Sequence, residues 1–492
     1  MLKNYFKTAW RSLTINKAQS FINMRLLFFF ILLLFYSLDI GCQSVLRRDN
    51  VLKVVKSTSN YIIYRINGVD GTWHINPSLK PDVLKFQTAH ENNTVSFVTN
   101  IDSIQFIVRP NDSIHLAILL NGDTAYTEIV CLPKRVNFKD EYKRIHQGEI
   151  SISIPEVSEL ANVILAITDV GIKDSNMIAM KGNYHKDVLN WFMKYKHEPL
   201  IKHIDSLMQR NDTTENYWFY YALKMNACGY YFNRSGNIVQ DSTILKMGFD
   251  NYVDPIKQNL EDVQDFAEKT NFKKFYANHK PYYDSLIDQY KKLIPVLNMK
   301  HWLEQEFDNR IDYYMITFSP LVYGAHATNW FYDNGFTVAA MFVAPLLKIE
   351  KYSLNFNNIN NLRILFTEID HNYVNPVSSN YVPQIDSIFD NQPKCANGDK
   401  SGIYPSPFKI FNEYMTWAVF TLYCYDNYPE IDLEEYMKKT EEFMEEKRGF
   451  NRFADFDHQL LKIYKEHKGL KKVNELFPEI LKWCSTGTIE KM

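Results

Sequence analysis

Glycine and proline are scarce in this 492-residue chain, which has 17 and 18 of them, and neither sign of charge is in excess. This scarcity argues against a collagen-like or disordered chain. Lys and Arg total 55 against 57 for Asp and Glu, so the composition indicates no basic surface of the kind that binds nucleic acid. Hydrophobic residues make up 46%, which is typical of a globular protein, and the aromatic content of 15% is high. The length of the chain is enough for two or three domains.

Paired cysteines and several well-known catalytic motifs are also absent from the sequence. The six cysteines, at positions 42, 131, 228, 395, 424 and 484, include no C-x-x-C pair, which argues against a cysteine zinc site and a thioredoxin-type site. Their spacing leaves one or two disulfide bridges open. Neither G-x-S-x-G nor G-x-x-x-x-G-K-[ST] occurs, so serine-hydrolase and P-loop functions have no support.

The apolar run near the start of the chain is short for a membrane span. It covers residues 26–38, about thirteen residues, whereas a transmembrane helix takes about 20. This length is typical of the hydrophobic region of a signal peptide. Gly41-Cys42 resembles the end of a lipobox, although Asp39 stands where an aliphatic residue is usual. We therefore expect an exported cell-envelope lipoprotein, periplasmic or at the cell surface, anchored through Cys42. Simple secretion and a retained signal anchor are the alternatives.

Residues 1–23 precede the segment that has the features of a signal peptide, which covers 24–42. They resemble the first residues of bacterial transporter permeases of the macrolide-exporter type, whereas an ordinary signal peptide begins at Met24. We interpret residues 1–23 as a misassigned start or a fused fragment, with an unusually long n-region as the alternative.

Two kinds of pattern divide the rest of the chain into an α+β protein. Short runs with period-two alternation, separated by Asn-Asp or Asn-Gly turns, predict an antiparallel β-rich domain over 43–140. Apolar residues at helical spacing predict a mainly helical domain over 150–492. Two β-like runs, 313–331 and 336–345, flank the turn sequence Tyr-Asp-Asn-Gly and predict a small antiparallel sheet within the helical domain.

A five-residue segment of the helical domain differs by one residue from a zinc-binding motif. Thr-Glu-Ile-Asp-His at 367–371 matches the frame of H-E-x-x-H, in which two histidines one helical turn apart bind zinc and the glutamate deprotonates the metal-bound water. The segment 358–376 has the apolar spacing of one helix, which Asn375-Pro376 should end. This helix supplies His371 as a ligand and Glu368 as a general base, whereas Thr367 replaces the first histidine.

A third ligand is expected on a following helix. Glu413 lies 42 residues after His371, in an Asn-Glu pair of the helical segment 408–423. In gluzincins, the thermolysin-like zincins, the third zinc ligand is a glutamate on a following helix. The spacing of Glu413 fits that arrangement.

The run T-E-I-D-H-N-Y-V-N-P resembles the H-E-x-x-H-x-F-V-N-P of an uncharacterised family of exported bacterial proteins. That family is catalogued as a domain of unknown function and looks like gluzincin metallopeptidases. The resemblance covers most of the chain after about residue 150 and includes the segments IPEVSELANVILAIT, FYANHKPYYDSLIDQY, SPLVYGAHA, FNEYMTWA and EKRGFNRFADF. It implies a zincin-like domain in which His371 and Glu413 bind Zn²⁺, Glu368 is the catalytic base, and a peptide or protein is the substrate. Thr367 departs from the pattern, and the loss of one ligand should weaken zinc binding by orders of magnitude.

Other residues could extend this site. His326, on a predicted SPLVYGAHA strand, is a candidate substitute ligand, and both His326 and Tyr323 are candidates for binding substrate or stabilising an oxyanion. Packing within an aromatic strand is the alternative for both. Asp370 is rotated about 100° from His371 and should point elsewhere. Arg448 either reaches the cleft or forms a plain salt bridge.

These patterns predict an exported gluzincin-like metallopeptidase homologue that is degenerate, with Zn²⁺ weak or absent and any remaining activity that of a zinc-dependent hydrolase. The alternative is a cell-envelope protein that binds a peptide or a partner without metal. A structural component of an envelope assembly is a third interpretation, and it predicts no cleft.

Overall fold

A computed structural model describes residues 47–59, 61–74, 83–88, 90–209, 213–248, 254–389, 396 and 406–486. The permease-like leader, the signal segment and Cys42 lie outside the described residues. The protein has mixed α/β content, with about 51% helix and 22% strand in several small sheets. Within the described residues, no helix combines the length and apolarity needed to cross a bilayer. The described chain divides into two compact units, one up to Pro133 and the other from Lys134 onward.

The first unit is built from strands arranged in two sheets. The strands are β1 (Arg47–Ser57), β2 (Tyr61–Ile66), β3 (Val69–His74), β4 (Val83–Thr88), β5 (Asn93–Val98), β6 (Ser103–Val108), β7 (Asp112–Leu120) and β8 (Asp123–Pro133). The sheet orders are β1-β7-β8-β4 and β3-β2-β5-β6. Buried side chains from both sheets, including Val55, Phe97 and Ile129, form one apolar core.

The prediction of an antiparallel domain is right for the β3-β2-β5-β6 sheet and wrong for part of the other. In the β1-β7-β8-β4 sheet, β7 and β8 are antiparallel, but β1 pairs with β7 and β4 pairs with β8 in parallel. Period-two alternation is common to parallel and antiparallel strands, so the sequence pattern could not separate them. The parallel pairs join segments far apart in sequence, which only the tertiary fold brings together.

The second unit combines helices with a four-stranded sheet. Its elements are α1 (Asp140–His146), β9 (Ile150–Ser153), α2 (Glu156–Ala166), α3 (Asn183–Phe192), α4 (Pro199–Gln209), α5 (Thr213–Ala227), β10 (Tyr230–Phe232), β11 (Ile238–Gln240), α6 (Pro255–Gln258), α7 (Leu260–Lys269), α8 (Phe272–Leu293), α9 (Val296–Glu306), β12 (Tyr313–Phe318), β13 (Ala327–Asp333), β14 (Phe336–Val343), α10 (Leu354–Ser378), α11 (Val382–Phe389), α12 (Pro407–Asn427), α13 (Glu430–Glu442), α14 (Phe453–His467) and α15 (Phe477–Ser485).

The sheet of the second unit is mixed, with the order β13-β14-β12-β9. Strand β12 is parallel to both β14 and β9, and the hairpin strand β13 is antiparallel to β14. Asn334 and Gly335 have φ values of 50° and 69°, the left-handed conformation that a tight hairpin turn requires. The predicted antiparallel sheet is therefore correct for the hairpin and wrong for β12 and β9.

The segment SPLVYGAHA is a connection and not a strand. Strand β12 ends at Phe318, and β13 begins only at Ala327. Pro320 cannot donate a ladder hydrogen bond, and a Cβ at Gly324 would lie 2.1 Å from the side-chain oxygen of Asn176. The backbone at Gly324 packs against Asn176 and does not pair with a neighbouring strand. His326 therefore lies in the connection immediately before β13.

Helix α10 carries the motif and is longer than the sequence predicts. It begins after Ser353, whose side chain accepts a hydrogen bond from the Phe356 N–H, and it continues through Pro376 to Ser378. The prediction that Asn375-Pro376 ends the helix is wrong. Proline cannot donate to the carbonyl of Asn372, but the side-chain amide of Asn309 donates to that oxygen at 2.7 Å. This contact supplies the missing partner, so the helix tolerates the proline.

The Asn309 contact gives a double-mutant prediction. We expect Asn309→Ala to destabilise the protein by about 1–3 kcal/mol, because it leaves the carbonyl of Asn372 without a donor. In a Pro376→Ala background, the new N–H can donate to the same carbonyl, so the cost of Asn309→Ala should be smaller. Urea unfolding of the four proteins measures the coupling. Equal costs in the two backgrounds would contradict this account of the helix.

Candidate functional site

Helices α10 and α12 bring two of the predicted ligands together. The Nε2 atom of His371 lies 3.5 Å from Oε1 of Glu413, and the Glu413 side chain is buried. The helices pack closely, and α10 also contacts β13 and β14. The structure therefore places the imidazole of one helix against the carboxylate of the other, beside the hairpin.

The same helix pair brings an arginine onto a tryptophan. Arg363 lies two turns before His371 on α10, and Trp417 lies one turn after Glu413 on α12. The guanidinium carbon of Arg363 is 4.2 Å from the centroid of a Trp417 ring. Arg363, which precedes His371 on α10, contacts Trp417, which follows Glu413 on α12. The two helices therefore run antiparallel along this contact.

Arg448 reaches the site from the segment that follows α13. Its Nη2 donates to Oε2 of Glu413 at 2.9 Å, and its guanidinium carbon lies 5.0 Å from the Trp417 ring. The sequence left open whether Arg448 reaches the site or forms a salt bridge. It does both, because its salt-bridge partner is Glu413. Trp417 is in contact with two guanidinium groups, and Glu413 is shared between a guanidinium and an imidazole.

Glu368 and Asp370 are acids in an environment that disfavours their charge. Burial, together with the charge of Glu413, raises the pKa of Glu368 to about 8, while Arg363 and Arg448 oppose the shift. Burial, together with the charges of Glu368 and Glu413, also raises the pKa of Asp370 well above its usual range. Asp370 is fully buried, so its carboxyl group is enclosed in the protein and is not a replacement ligand.

Thr367 is buried and its hydroxyl is already engaged. The Oγ1–H donates to the carbonyl of Arg363 at 3.0 Å, a bond within its own helix. A tight zinc site uses three or four protein ligands. Over the described parts of the chain, no group of three or more His, Cys, Asp or Glu side chains is arranged to hold a metal ion. His371 and Glu413 alone do not fit a tight zinc centre.

His326 and Tyr323 lie near the site but do not complete it. The Nε2 of His326 is 2.8 Å from the carbonyl oxygen of Tyr323, which is an exposed residue. Burial and the charges of Arg363, Lys224 and Arg448 together lower the pKa of His326 to about 3, although its contact with the Tyr323 carbonyl opposes the shift. His326 is therefore a neutral imidazole at neutral pH, and it lies in the connection immediately before β13.

Arg363 and Trp417 are site residues that the sequence reasoning missed. Both lie one helical turn from a residue that was identified, Thr367 in one case and Glu413 in the other. This spacing of one helical turn places both residues on the same helix faces as the predicted site residues, so it could have identified them. No protein-family model, curated protein or solved structure matches this chain. The family resemblance therefore remains a prediction, and the geometry carries the functional argument.

The raised pKa of Glu368 gives a prediction about pH. Its folded pKa of about 8 lies above the ordinary value of 4.5, so the folded state holds a proton that the unfolded state has released within this window. The contribution of Glu368 to the free energy of unfolding is fully present below pH 4.5. It is lost as the pH rises toward 8, by up to about 1.4 kcal/mol per pH unit.

We therefore expect Glu368→Gln, which cannot titrate, to lose less stability than the wild type between pH 5 and pH 8, by about 1–3 kcal/mol. Urea unfolding at the two pH values measures the difference. Glu434→Gln, at an exposed position, is the matched control and should follow the wild type. If the stability of Glu368→Gln and that of the wild type changed equally with pH, the raised pKa of Glu368 would be contradicted.

Proposed function

We propose that the second unit is a degenerate, gluzincin-like metallopeptidase homologue, exported to the cell envelope, whose cleft holds a peptide without hydrolysing it efficiently. The observation that carries this proposal is the 3.5 Å approach of His371 Nε2 to Glu413 Oε1, one helical turn from Thr367 at the position of the missing ligand. Two ligand positions are kept and the third is lost, which is the pattern of an impaired metal site.

The surroundings of α10 support a zincin-like scaffold. The antiparallel strand β13 is at the edge of its sheet, and it contacts α10 through a hydrogen bond from the Asn372 side-chain amide to Thr328 Oγ1 at 3.1 Å. In zincins, an antiparallel edge strand beside the metal helix pairs with the peptide substrate. Glu413 on a later helix also agrees with the gluzincin arrangement.

The ligand geometry argues against efficient hydrolysis. With Thr367 bonded to its own helix, the chain supplies one imidazole and one carboxylate where catalytic zinc sites have three ligands. Without a tightly held metal, Glu368 has no metal-bound water to deprotonate.

A second candidate function is peptide or partner binding with no metal at any stage. The hairpin strand favours it, because Trp330 and Tyr332 on β13 are 49% and 62% exposed. Exposed aromatic side chains on an edge strand suit a surface that adds a peptide as a further strand.

Metal analysis and a peptidase assay of the purified wild type test the proposal. We expect clearly less than one zinc per chain by mass spectrometry and little or no cleavage of a peptide library, even with zinc added. One tightly held zinc per chain would overturn the degenerate assignment, because it would require a substitute ligand. A metal-free chain with no peptide affinity would contradict a peptide-binding cleft and leave only the binding of another partner.

A further inference from the structure

Arg363 is a half-buried arginine whose observed polar contacts are neutral. Its Nε and Nη2 donate to Oδ1 of Asn360 at 3.3 and 3.2 Å, and its guanidinium stacks on Trp417. No carboxylate of the described chain lies within ion-pair distance of it. Burial lowers the pKa of Arg363 to about 10, which still leaves the group charged at neutral pH.

A desolvated charge of this kind normally has a counter-ion. Removing a guanidinium from water is costly unless a carboxylate or phosphate compensates for it. Two carboxyl groups, Glu368 and Glu413, act on Arg363 through their charge, but neither forms an ion pair with it. The pKa of Glu368 is raised to about 8, which disfavours its charged form at neutral pH, and Glu413 already accepts a hydrogen bond from Arg448. Two guanidinium groups therefore stand at the site with one carboxylate in direct contact, and Arg363 remains available to an anion from outside.

Stacking on Trp417 holds Arg363 in a defined orientation. The indole lies 4.2 Å from the guanidinium carbon of Arg363 and 5.0 Å from that of Arg448, so both groups are restrained. A planar guanidinium that is fixed in this way loses little entropy when it binds a carboxylate through two parallel hydrogen bonds.

The position of Arg363 relative to β13 indicates which part of a peptide it would meet. Helix α10, which carries Arg363, contacts β13 near the start of the strand, where the Asn372 side-chain amide donates to Thr328 Oγ1 at 3.1 Å. The charge of Arg363 also acts on His326, which immediately precedes Ala327, the first residue of β13. A peptide that pairs with β13 in the antiparallel sense runs opposite to it. Its C-terminal end therefore lies at the Ala327 end of the strand, on the side of His326 and Arg363.

We infer that Arg363 binds the C-terminal carboxylate of a peptide that lies antiparallel along β13. This inference rests on the proposed function and adds the ligand class, a peptide with a free C-terminus at this site. A peptide C-terminus carries a single negative charge and a planar carboxylate, which match one unpaired guanidinium.

Fluorescence anisotropy with matched peptides tests the inference on the full chain. The probe is a fluorescein-labelled peptide of alternating threonine and valine, made with a free C-terminus, with a C-terminal amide, and as the amide with one internal aspartate. We expect the free acid to bind about 10- to 100-fold more tightly than the amide, the range of a charge-assisted hydrogen bond. Arg363→Gln should remove the difference.

Two control variants separate the specific role of the Arg363 guanidinium from a change in net charge and from loss of the fold. Arg65→Gln, at an exposed arginine paired with Asp70, changes the net charge equally and should leave the acid preference intact. Arg363→Lys keeps the charge, loses the fork geometry and should retain part of the preference. It serves as the second variant if Arg363→Gln fails to fold.

Each outcome decides the question. Equal binding of acid and amide, a preference that survives in Arg363→Gln, or no binding of any probe would overturn the inference. Tight binding of the aspartate-containing amide alone would also overturn it, because the carboxylate would then come from a side chain. Mass spectrometry of the same samples reports cleavage, which would contradict the proposed function and not the role of Arg363.

Discussion

Thr367→His is expected to raise the zinc content of the purified protein from a small fraction toward one per chain. The substitution places a second imidazole one helical turn before His371, on the face of α10 from which His371 approaches Glu413. The site then has the three protein ligands typical of catalytic zinc, so its affinity should rise by orders of magnitude. Elemental mass spectrometry and zinc titration measure the change.

Two control variants distinguish ligation from packing effects. Thr367 is buried, so a larger side chain will cost about 1–3 kcal/mol of stability whatever its chemistry. Thr367→Gln has a similar reach without an imidazole and should gain no zinc. Adding His371→Ala to Thr367→His should return the zinc content to the background. If Thr367→His binds no more zinc than the wild type, Thr367 does not stand at a ligand position.

Arg448→Met should destabilise the protein by about 3–5 kcal/mol, because it leaves the Glu413 carboxylate buried without its ionic partner. The side chains of Arg448 and Glu413 are only 20% and 9% exposed, so solvent cannot replace the lost contact. Adding Glu413→Gln removes the buried charge as well, and the double variant should recover much of the loss. Thermal unfolding of the four proteins in the cycle measures the coupling.

Arg65→Met is the matched control for this cycle. Arg65 pairs with Asp70 as well, but both side chains are about half exposed, and such pairs contribute roughly 0–1 kcal/mol. A loss for Arg448→Met no larger than that for Arg65→Met would show that Arg448 is not needed to neutralise Glu413. It would also remove the reason for treating Arg363 as the remaining cation of the site.

Two features of the site could be predicted from local sequence because they depend on helical spacing. Positions 367 and 371 are four apart, so their side chains share a face wherever the helix packs. The apolar stripe of α10 is buried as the spacing predicts, at Leu362, Leu365, Phe366, Ile369 and Tyr373. The Asn334-Gly335 turn likewise carries its own conformational preference.

Other features depended on partners that the local pattern does not contain. Strands alternate in the same way whether they pair in parallel or antiparallel, so the partners of β1, β4 and β12 were decided by the tertiary fold. A proline normally ends a helix, but α10 continues because Asn309 satisfies the carbonyl that Pro376 leaves.

The sequence by itself determined which residue types stand on the faces of α10 and α12, and that a threonine occupies the position of the first histidine in the H-E-x-x-H frame. Only the tertiary structure decided what surrounds them: Arg448 pairs with Glu413, and Arg363 stacks on Trp417 with no carboxylate of the described chain within ion-pair distance. The physical reason is range. Helical spacing acts over a few residues, whereas charge pairing and stacking act through space between segments that the sequence keeps far apart.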